Sequence, residues 1–282
     1  MAFTGVFAAT QITEAPFGLS SAATVIHHDT TDEHWVGGYG QEFALCDLKV
    51  SGWGLCESTS SATFHDSTAG ERYTRVNPFA VVVEDGCDST IGMATMAEER
   101  ESRLLRLLDI ASVKAAETEL WNGAVTTDLE SVAADRNRYL SDGNVTAVAS
   151  GAALTPLRAL AVLESALDAC GLGNQGVIHM PRGLATFLGG NLERDGDNLY
   201  TMGGTLVVAG SGYTVVSATQ AKMYGTGPVT MHLGAPTMVT ANVADYADTE
   251  KNTLVLRAER PVAVTWDGCC QLSALADYTV SI

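Results

Sequence analysis

Residues Thr95 to Gly123, TMAEERESRLLRLLDIASVKAAETELWNG, constrain this chain more than any other stretch. Thr95 followed by Glu98 has the form of a capping box, which satisfies two of the N–H groups a first helical turn leaves orphaned, and Asn122-Gly123 supplies a left-handed stop. Between these ends lie about 26 residues free of Pro and Gly, a predicted rod of roughly 40 Å. Met93, Ala97, Leu104, Leu107, Leu108, Ala111 and Ala115 share one face, and Glu99 with Arg103, Arg106 with Asp109, and Lys114 with Glu117 are spaced to pair along the others. Leu105, Ile110, Val113 and Leu120 lie off that stripe, so the opposite side is too apolar for a helix facing only water. Two readings follow: the core helix of an ordinary α+β domain, or a helix with its own sheet on one side and a neighbouring subunit on another.

A chain of 282 residues can bury one large core or two modest ones, and 46% hydrophobic residues, 17% charged residues and 28 Gly describe a folded, turn-rich protein. The net charge is −17, and Lys49 is the first Lys or Arg in the chain. Tight binding of nucleic acid by the surface as a whole is thereby disfavoured, while a local Arg patch stays open. MAFTGVFAAT has no positive n-region, and apolar runs such as Phe79 to Val83 are too short to span a bilayer; the expectation is folding in a reducing cytosol, with no membrane partner. Cys46, Cys56, Cys87, Cys170, Cys269 and Cys270 include no C-x-x-C pair, which argues against a zinc ribbon or thioredoxin-like site. Buried thiols are expected; a disulfide formed after release from the cell stays open, with partners the sequence does not choose.

Met1 to about Gly40 lacks periodicity and reads as an extended arm. Glu42 to about Glu57 and Arg72 to Glu84 are strand-like and joined by a polar stretch, the pattern of a long two-stranded excursion that needs support from elsewhere. After the long helix, Ala124 to Ser150 is mixed and ends in a possible strand, NVTAVAS. Thr155-Pro156 opens a second helix that Cys170-Gly171 closes, with Leu157, Leu160, Ala161, Leu163 and Leu167 as its apolar side. GVIHM is a buried-type strand, PRGLATFLGG a short helix and GTLVVAGSGYTVV a strand interrupted by small residues. NLERDGDNLYTMG, Asn191 to Gly203, has loop chemistry. TLVLRAE, PVAVTW and CCQLSAL read as consecutive strands of one sheet around turns at Arg260-Pro261 and Asp267-Gly268.

Candidate chemistry is sparse. His27, His28, Asp29, Asp32, Glu33 and His34 are metal-ligand types, but they lie in the least regular part of the chain. Asp195-Gly196-Asp197-Asn198 resembles part of a calcium loop without its further acidic ligands, and reads as a solvated turn. Gly210-Ser211-Gly212 follows a strand but lacks the third Gly and the helix of a dinucleotide site. His179 sits inside an apolar strand, where a hydrogen-bonded core histidine is the better reading than a base. No nucleophile, base and oxyanion site assemble, so no catalytic, cofactor or metal residues are expected, and the chain reads as a structural protein rather than an enzyme.

The order of arm, excursion, long helix, inserted α/β region and returning strands resembles the major capsid proteins of tailed bacteriophages, the Hong Kong 97-type fold. NPFAVVVEDGCDSTIG, ETELWNG, TPLRALAVLESALDACGLGNQGVIHMPR and NTLVLRAERPVAVTWDGCC look in particular like the capsid proteins of phages that infect actinobacteria. The resemblance implies an α+β fold with an N-arm (about 1–41), an E-loop (about 42–77), a P-domain (about 78–149 and 236–282) whose spine helix is about 96–121, and an inserted A-domain (about 150–235). It implies a virion protein, assembled in the host bacterial cytoplasm as pentamers and hexamers into an icosahedral head. Implied partners are the chain itself, a portal at one vertex, separate scaffolding or decoration proteins, and packaged double-stranded DNA contacted non-specifically. Asn191 to Gly203 would be the axial loop, and the E-loop would lie over a neighbour's P-domain. The acidic balance fits an inner wall that does not pin DNA. Some such shells weld an E-loop Lys to an Asn; Lys49 is the Lys of the excursion here, with no Asn or activating carboxylate assigned. An encapsulin-like nanocompartment shares the fold and is the alternative; a stand-alone α+β enzyme with a deep polar pocket is a third class.

Overall fold

The computed structural model describes residues 16–29, 34–42, 73–87, 93–126, 137–143, 145–170, 175–238, 247–248, 253–268 and 270–279. The first elements are α1 (Leu19–Ala22), β1 (Thr24–His27), β2 (Tyr39–Glu42), β3 (Tyr73–Val76), β4 (Phe79–Cys87) and the long helix α2 (Met93–Asn122). Next come β5 (Thr146–Ala147), β6 (Ala153–Leu154), α3 (Pro156–Ala169), β7 (Val177–Pro181), α4 (Arg182–Leu188), β8 (Leu192–Asp195), β9 (Asn198–Thr201) and β10 (Leu206–Gly210). The chain closes with β11 (Gln220–Thr226), β12 (Val229–Leu233), β13 (Thr237–Met238), β14 (Ala247–Asp248), β15 (Thr253–Trp266) and β16 (Leu272–Asp277).

Helix α2 begins before Thr95, so Thr95 lies in the first turn rather than at its cap; Gly92 is the nearest breaker upstream, and Met93 and Ala94 are good helix formers. Its stop is where the sequence put it. Gly123 takes φ +65° and its N–H bonds to the Glu119 carbonyl at 2.9 Å. The buried line is Leu104, Leu108, Ser112, Ala116 and Leu120, spaced by four. Leu120 therefore belongs to the core, not to an outer face. The apolar count missed this line because it skips Ser112, whose hydroxyl is hidden by donating to the Leu108 carbonyl at 2.6 Å. Two expected surface pairs also dissolve: Asp109 pairs with Arg260 of β15 at 2.8 Å, and Glu117 is buried. Glu99 lies outside the described side chains.

α2 packs across β4 and β15 of the first sheet, whose order is β1-β12-β15-β13 with β4 and β14 also on β15. Arg260-Pro261 is not a turn: β15 runs straight through it, with Pro261 opposite Ala80. Pro is tolerated because it stands at the break between β12 and β13, where its carbonyl accepts from the Gly234 N–H at 2.9 Å and no donor is asked of it. The expected run from Arg72 to Glu84 is likewise two strands, broken at Asn77-Pro78. The side-chain amide of Asn137 replaces the missing ladder there, accepting from Asn77 N at 2.7 Å and donating to Asn77 O at 2.8 Å. β3 pairs with β2; residues 43–72, with Lys49, lie outside the described residues.

The second sheet has the order β5-β16-β11-β7-β10-β9-β8, with β6 also on β16. The last strand thus leaves the first sheet, against the expectation of one continuous set. Val177, Val208 and Tyr224 face the α2 core, whereas Ile178, Met180, Val207 and Met223 face α3 and α4. Burial on both faces explains the unbroken apolar runs of β7 and β10. α3 starts as expected, Thr155 Oγ1 accepting from Arg158 N, but Leu157 is 45% exposed and Ala161 is exposed, so the packed side is Ala159, Leu160, Leu163 and Leu167. Leu192 to Thr201 is a hairpin rather than a loop, and the strand expected to run to Val216 stops at Gly210.

Candidate functional site

The densest polar chemistry lies where the C-terminal half of α2 meets the second sheet. Glu117, 1% exposed, accepts from Leu19 N at 2.9 Å, Ser211 Oγ at 2.9 Å and Gly212 N at 2.8 Å. Glu119 accepts from Val125 N and Thr126 N, each at 3.1 Å, from Thr126 Oγ1 at 2.6 Å and from Asn137 Nδ2 at 3.2 Å. Acids in the last turns of a helix oppose its macrodipole, so these two are explained by the donors they satisfy. Glu117 fastens α1 and the 211–219 loop to α2. The loop leaves the sheet at Gly210-Ser211-Gly212, and Gly212 lies so close to α2 that a Cβ there would fall 2.8 Å from the backbone of Lys114 and Thr118. Gly212 serves close packing on α2 and Gly210 makes room for the Tyr213 ring, rather than either binding a phosphate.

His179 is fully buried beside this joint, its Nδ1 3.0 Å from the Tyr213 hydroxyl and its Nε2 3.0 Å from Thr226 Oγ1. Thr226 donates to the Gly227 carbonyl at 2.8 Å, so its oxygen accepts from Nε2–H, and Nδ1 accepts from Tyr213. Burial lowers the His179 pKa to about 3, which keeps the ring neutral. Tyr213 is raised well above its ordinary range by burial and then by Glu117. Trp121 stacks on Tyr213 with centroids 4.5 Å apart and meets Tyr224 edge-on at 4.8 Å. Each group is saturated by its neighbours; the arrangement ties α2 to the second sheet and leaves no free base.

On the opposite face of the first sheet, Trp35 and Val76 pack on Ala263, and His28 stacks on Trp35 at 4.4 Å. His28 Nε2 lies 2.9 Å from His232 Nδ1, whose pKa is lowered to about 4 by burial and then by His28. The sequence cluster is therefore split: His28 clasps β12, while His27 and Asp29 are exposed. Asp32 and Glu33 lie outside the described residues, as does the His34 side chain. Among the described residues no three His, Cys, Asp or Glu side chains converge as metal ligands. Asp195 and Asn198 pair across the hairpin turn, with Gly196 at φ +59°.

Beyond the joint, Glu164 of α3 takes the hydroxyls of Thr201 and Thr205 and so clamps the Met202-Gly203-Gly204 turn, leaving Met202 70% exposed. Among the described residues around the second sheet, Phe187, Val215 and Val216 are also exposed, at 59%, 52% and 54%. Cys170 and Cys270 form a disulfide, where buried thiols were expected. Sequence reasoning missed Glu117 and this pair: a helix-spaced Glu next to Lys114 looks like a surface residue, and spacing does not select cysteine partners. Among the described residues no helix is long and apolar enough to cross a membrane.

No protein-family model matches the chain, and no curated protein matches it in sequence. In fold it is similar to the capsid of an empty GTA particle, with TM-score 0.56 and 12% identity over 99% of this chain and 96% of that chain. It is similar to the SrpI encapsulin of Synechococcus elongatus PCC 7942, at TM-score 0.53 and 12% identity over 99% and 94%. A structure of the major capsid and decoration proteins of phage G matches at TM-score 0.52 and 8% identity over 96% and 92%. The α+β Hong Kong 97-type fold is thus the fold of this chain.

Proposed function

We propose that this chain is the major capsid protein of a tailed bacteriophage, self-assembling as pentamers and hexamers into an icosahedral head around double-stranded DNA. What carries the reading is end-to-end likeness, 99% of this chain against 96% of a particle's capsid subunit. The role is structural and the location the virion. Residues 1–41 act as N-arm and 42–77 as E-loop, supported by β1 on the edge of the first sheet and by the pairing of β2 with β3. The P-domain comprises 78–149 and 236–282 and the A-domain 150–235, adjusted by sheet membership: β12 goes with the P-domain and β16 with the A-domain. The 192–203 hairpin and its Met202 turn are the axial element. Portal, scaffolding and decoration proteins complete the head.

A nanocompartment shell is the second reading, favoured by the encapsulin likeness over 99% of this chain. Light scattering and negative-stain images of the purified chain test both. Closed shells tens of nanometres across are expected, with DNA inside virions from infected cells; a protein cargo would move the assignment to a compartment. A monomer that stays monomeric with concentration and with scaffold supplied would refute shell formation.

A further inference from the structure

The two sheets are joined by two adjacent crossovers, Thr226–Val229 and Trp266–Leu272. They touch through Gly227 N to Asp267 O at 3.0 Å and Asp267 N to Pro228 O at 2.9 Å. The second is steadied by Gln271, whose carbonyl accepts from Thr146 N at 3.0 Å and whose side chain accepts from Arg138 at 2.8 Å. These are a few net-weak bonds beside a core in which Val177, Val208 and Tyr224 of the second sheet pack with Val229, Met231 and Val264 of the first around α2. One covalent tie reinforces them. Cys270, 5% exposed and inside the second crossover, is bonded to Cys170, the exposed C-cap of α3, with Cα atoms 6.1 Å apart across 100 residues of sequence. α3 is seated firmly on the second sheet, with Leu167 3.0 Å from where a Cβ on Gly225 would stand.

We propose that Cys170–Cys270 is a redox-timed lock of the second crossover onto α3, open as two thiols while the chain is made and assembles, and closed once the protein meets oxidising surroundings. The bond stands on the geometry alone; the timing rests on the shell reading. Glutathione-type disulfides or any equivalent low-molecular-weight disulfide suffice as oxidant. The exposed Cys170 thiolate attacks one sulfur, forming a mixed disulfide and expelling one thiolate. The Cys270 thiolate then attacks the Cys170 sulfur and expels the second. Two protons and two electrons leave the protein, and one disulfide becomes two thiols. Open, the second crossover is held by hydrogen bonds; closed, it is welded to α3.

The test uses the full chain, expressed in a bacterial cytosol and lysed directly into N-ethylmaleimide. Peptide mass mapping should find Cys170 and Cys270 alkylated at first, and linked to each other after incubation with oxidised glutathione. Closure should raise Tm by about 5 to 10 °C, a gain absent from Cys170→Ser and Cys270→Ser. It should also slow amide exchange at Gly227 and Asp267 at least tenfold. A link already present in the trapped lysate overturns the timing. Linkage to Cys269 instead, or no link after oxidation, overturns the pair. Equal exchange in both states overturns the lock. Particle size is measured on the same samples, so a chain that forms no shells in either state refutes the shell reading while the thiol result stands by itself.

Discussion

Replacing Glu117 offers the sharpest test of how the joint is built. Its carboxylate takes three donors, two of them backbone N–H groups of buried or half-buried segments, Leu19 and Gly212. Glu117→Ala removes every acceptor. Ser211 can turn its hydroxyl elsewhere, but the two N–H groups cannot, and each buried orphan costs about 1–3 kcal/mol. The total is about 2–6 kcal/mol, before any cavity term. Glu117→Gln keeps the shape and one carbonyl oxygen, so one N–H remains satisfied while the amide NH2 opposes the other; about 1–3 kcal/mol is expected. Urea unfolding of the unassembled subunit should rank wild type above Gln and Gln above Ala. Native-state hydrogen exchange should accelerate first at Leu19 and Gly212, because these open locally when their acceptor is lost. An Ala variant within about 0.5 kcal/mol of wild type, or unchanged exchange at those two amides, would refute the argument that this acid is retained for its donors.

Other outcomes follow from the same geometry. The unfolded chain protonates His179 near its ordinary value of 6.5, and the folded chain only near 3, so its stabilisation is full above pH 6.5 and is lost progressively as pH falls towards 3. His232, lowered to about 4, acts in the same direction. Between pH 7 and 5 each contributes a slope of at most about 1.4 kcal/mol per pH unit, and His179→Gln should flatten the urea-midpoint profile; parallel profiles would count against the buried neutral ring. Gly212→Ala pushes a Cβ against backbone that cannot yield, 2.8 Å away, and should cost about 2–4 kcal/mol with faster proteolysis in the 211–219 loop. Met202→Asp should leave subunit stability within about 0.5 kcal/mol, since the side chain is 70% exposed, yet reduce particle yield by electron microscopy; undiminished yield would remove Met202 from the axial contacts.

Much of the outline was legible because it is written locally. The Asn122-Gly123 stop, the Thr155-Pro156 start and the buried core histidine of β7 all rest on neighbours in sequence or on the polarity of a short run. The hairpin at Leu192–Thr201 was not, since Glu-Arg-Asp and Asn-Leu-Tyr alternate too weakly to separate strand from loop, and pairing supplies what propensity does not. The run through Arg260-Pro261 misled for the opposite reason. A dipeptide that signals a turn in isolation is carried along a strand when Phe79–Cys87 lies on one side and a gap in the ladder on the other.

From the sequence alone came the long helix, the α+β class and the capsid resemblance. Those depend on periodicity and breakers, which act over a turn or two of chain. Tertiary structure decided which sheet each late strand joined, that Glu117 is an acceptor rather than half of a surface pair, that His28 meets His232, and that Cys170 finds Cys270. The last three join residues about 90 to 200 positions apart. Their energies exist only once the cores have brought the partners within bonding distance, so no local pattern can encode them.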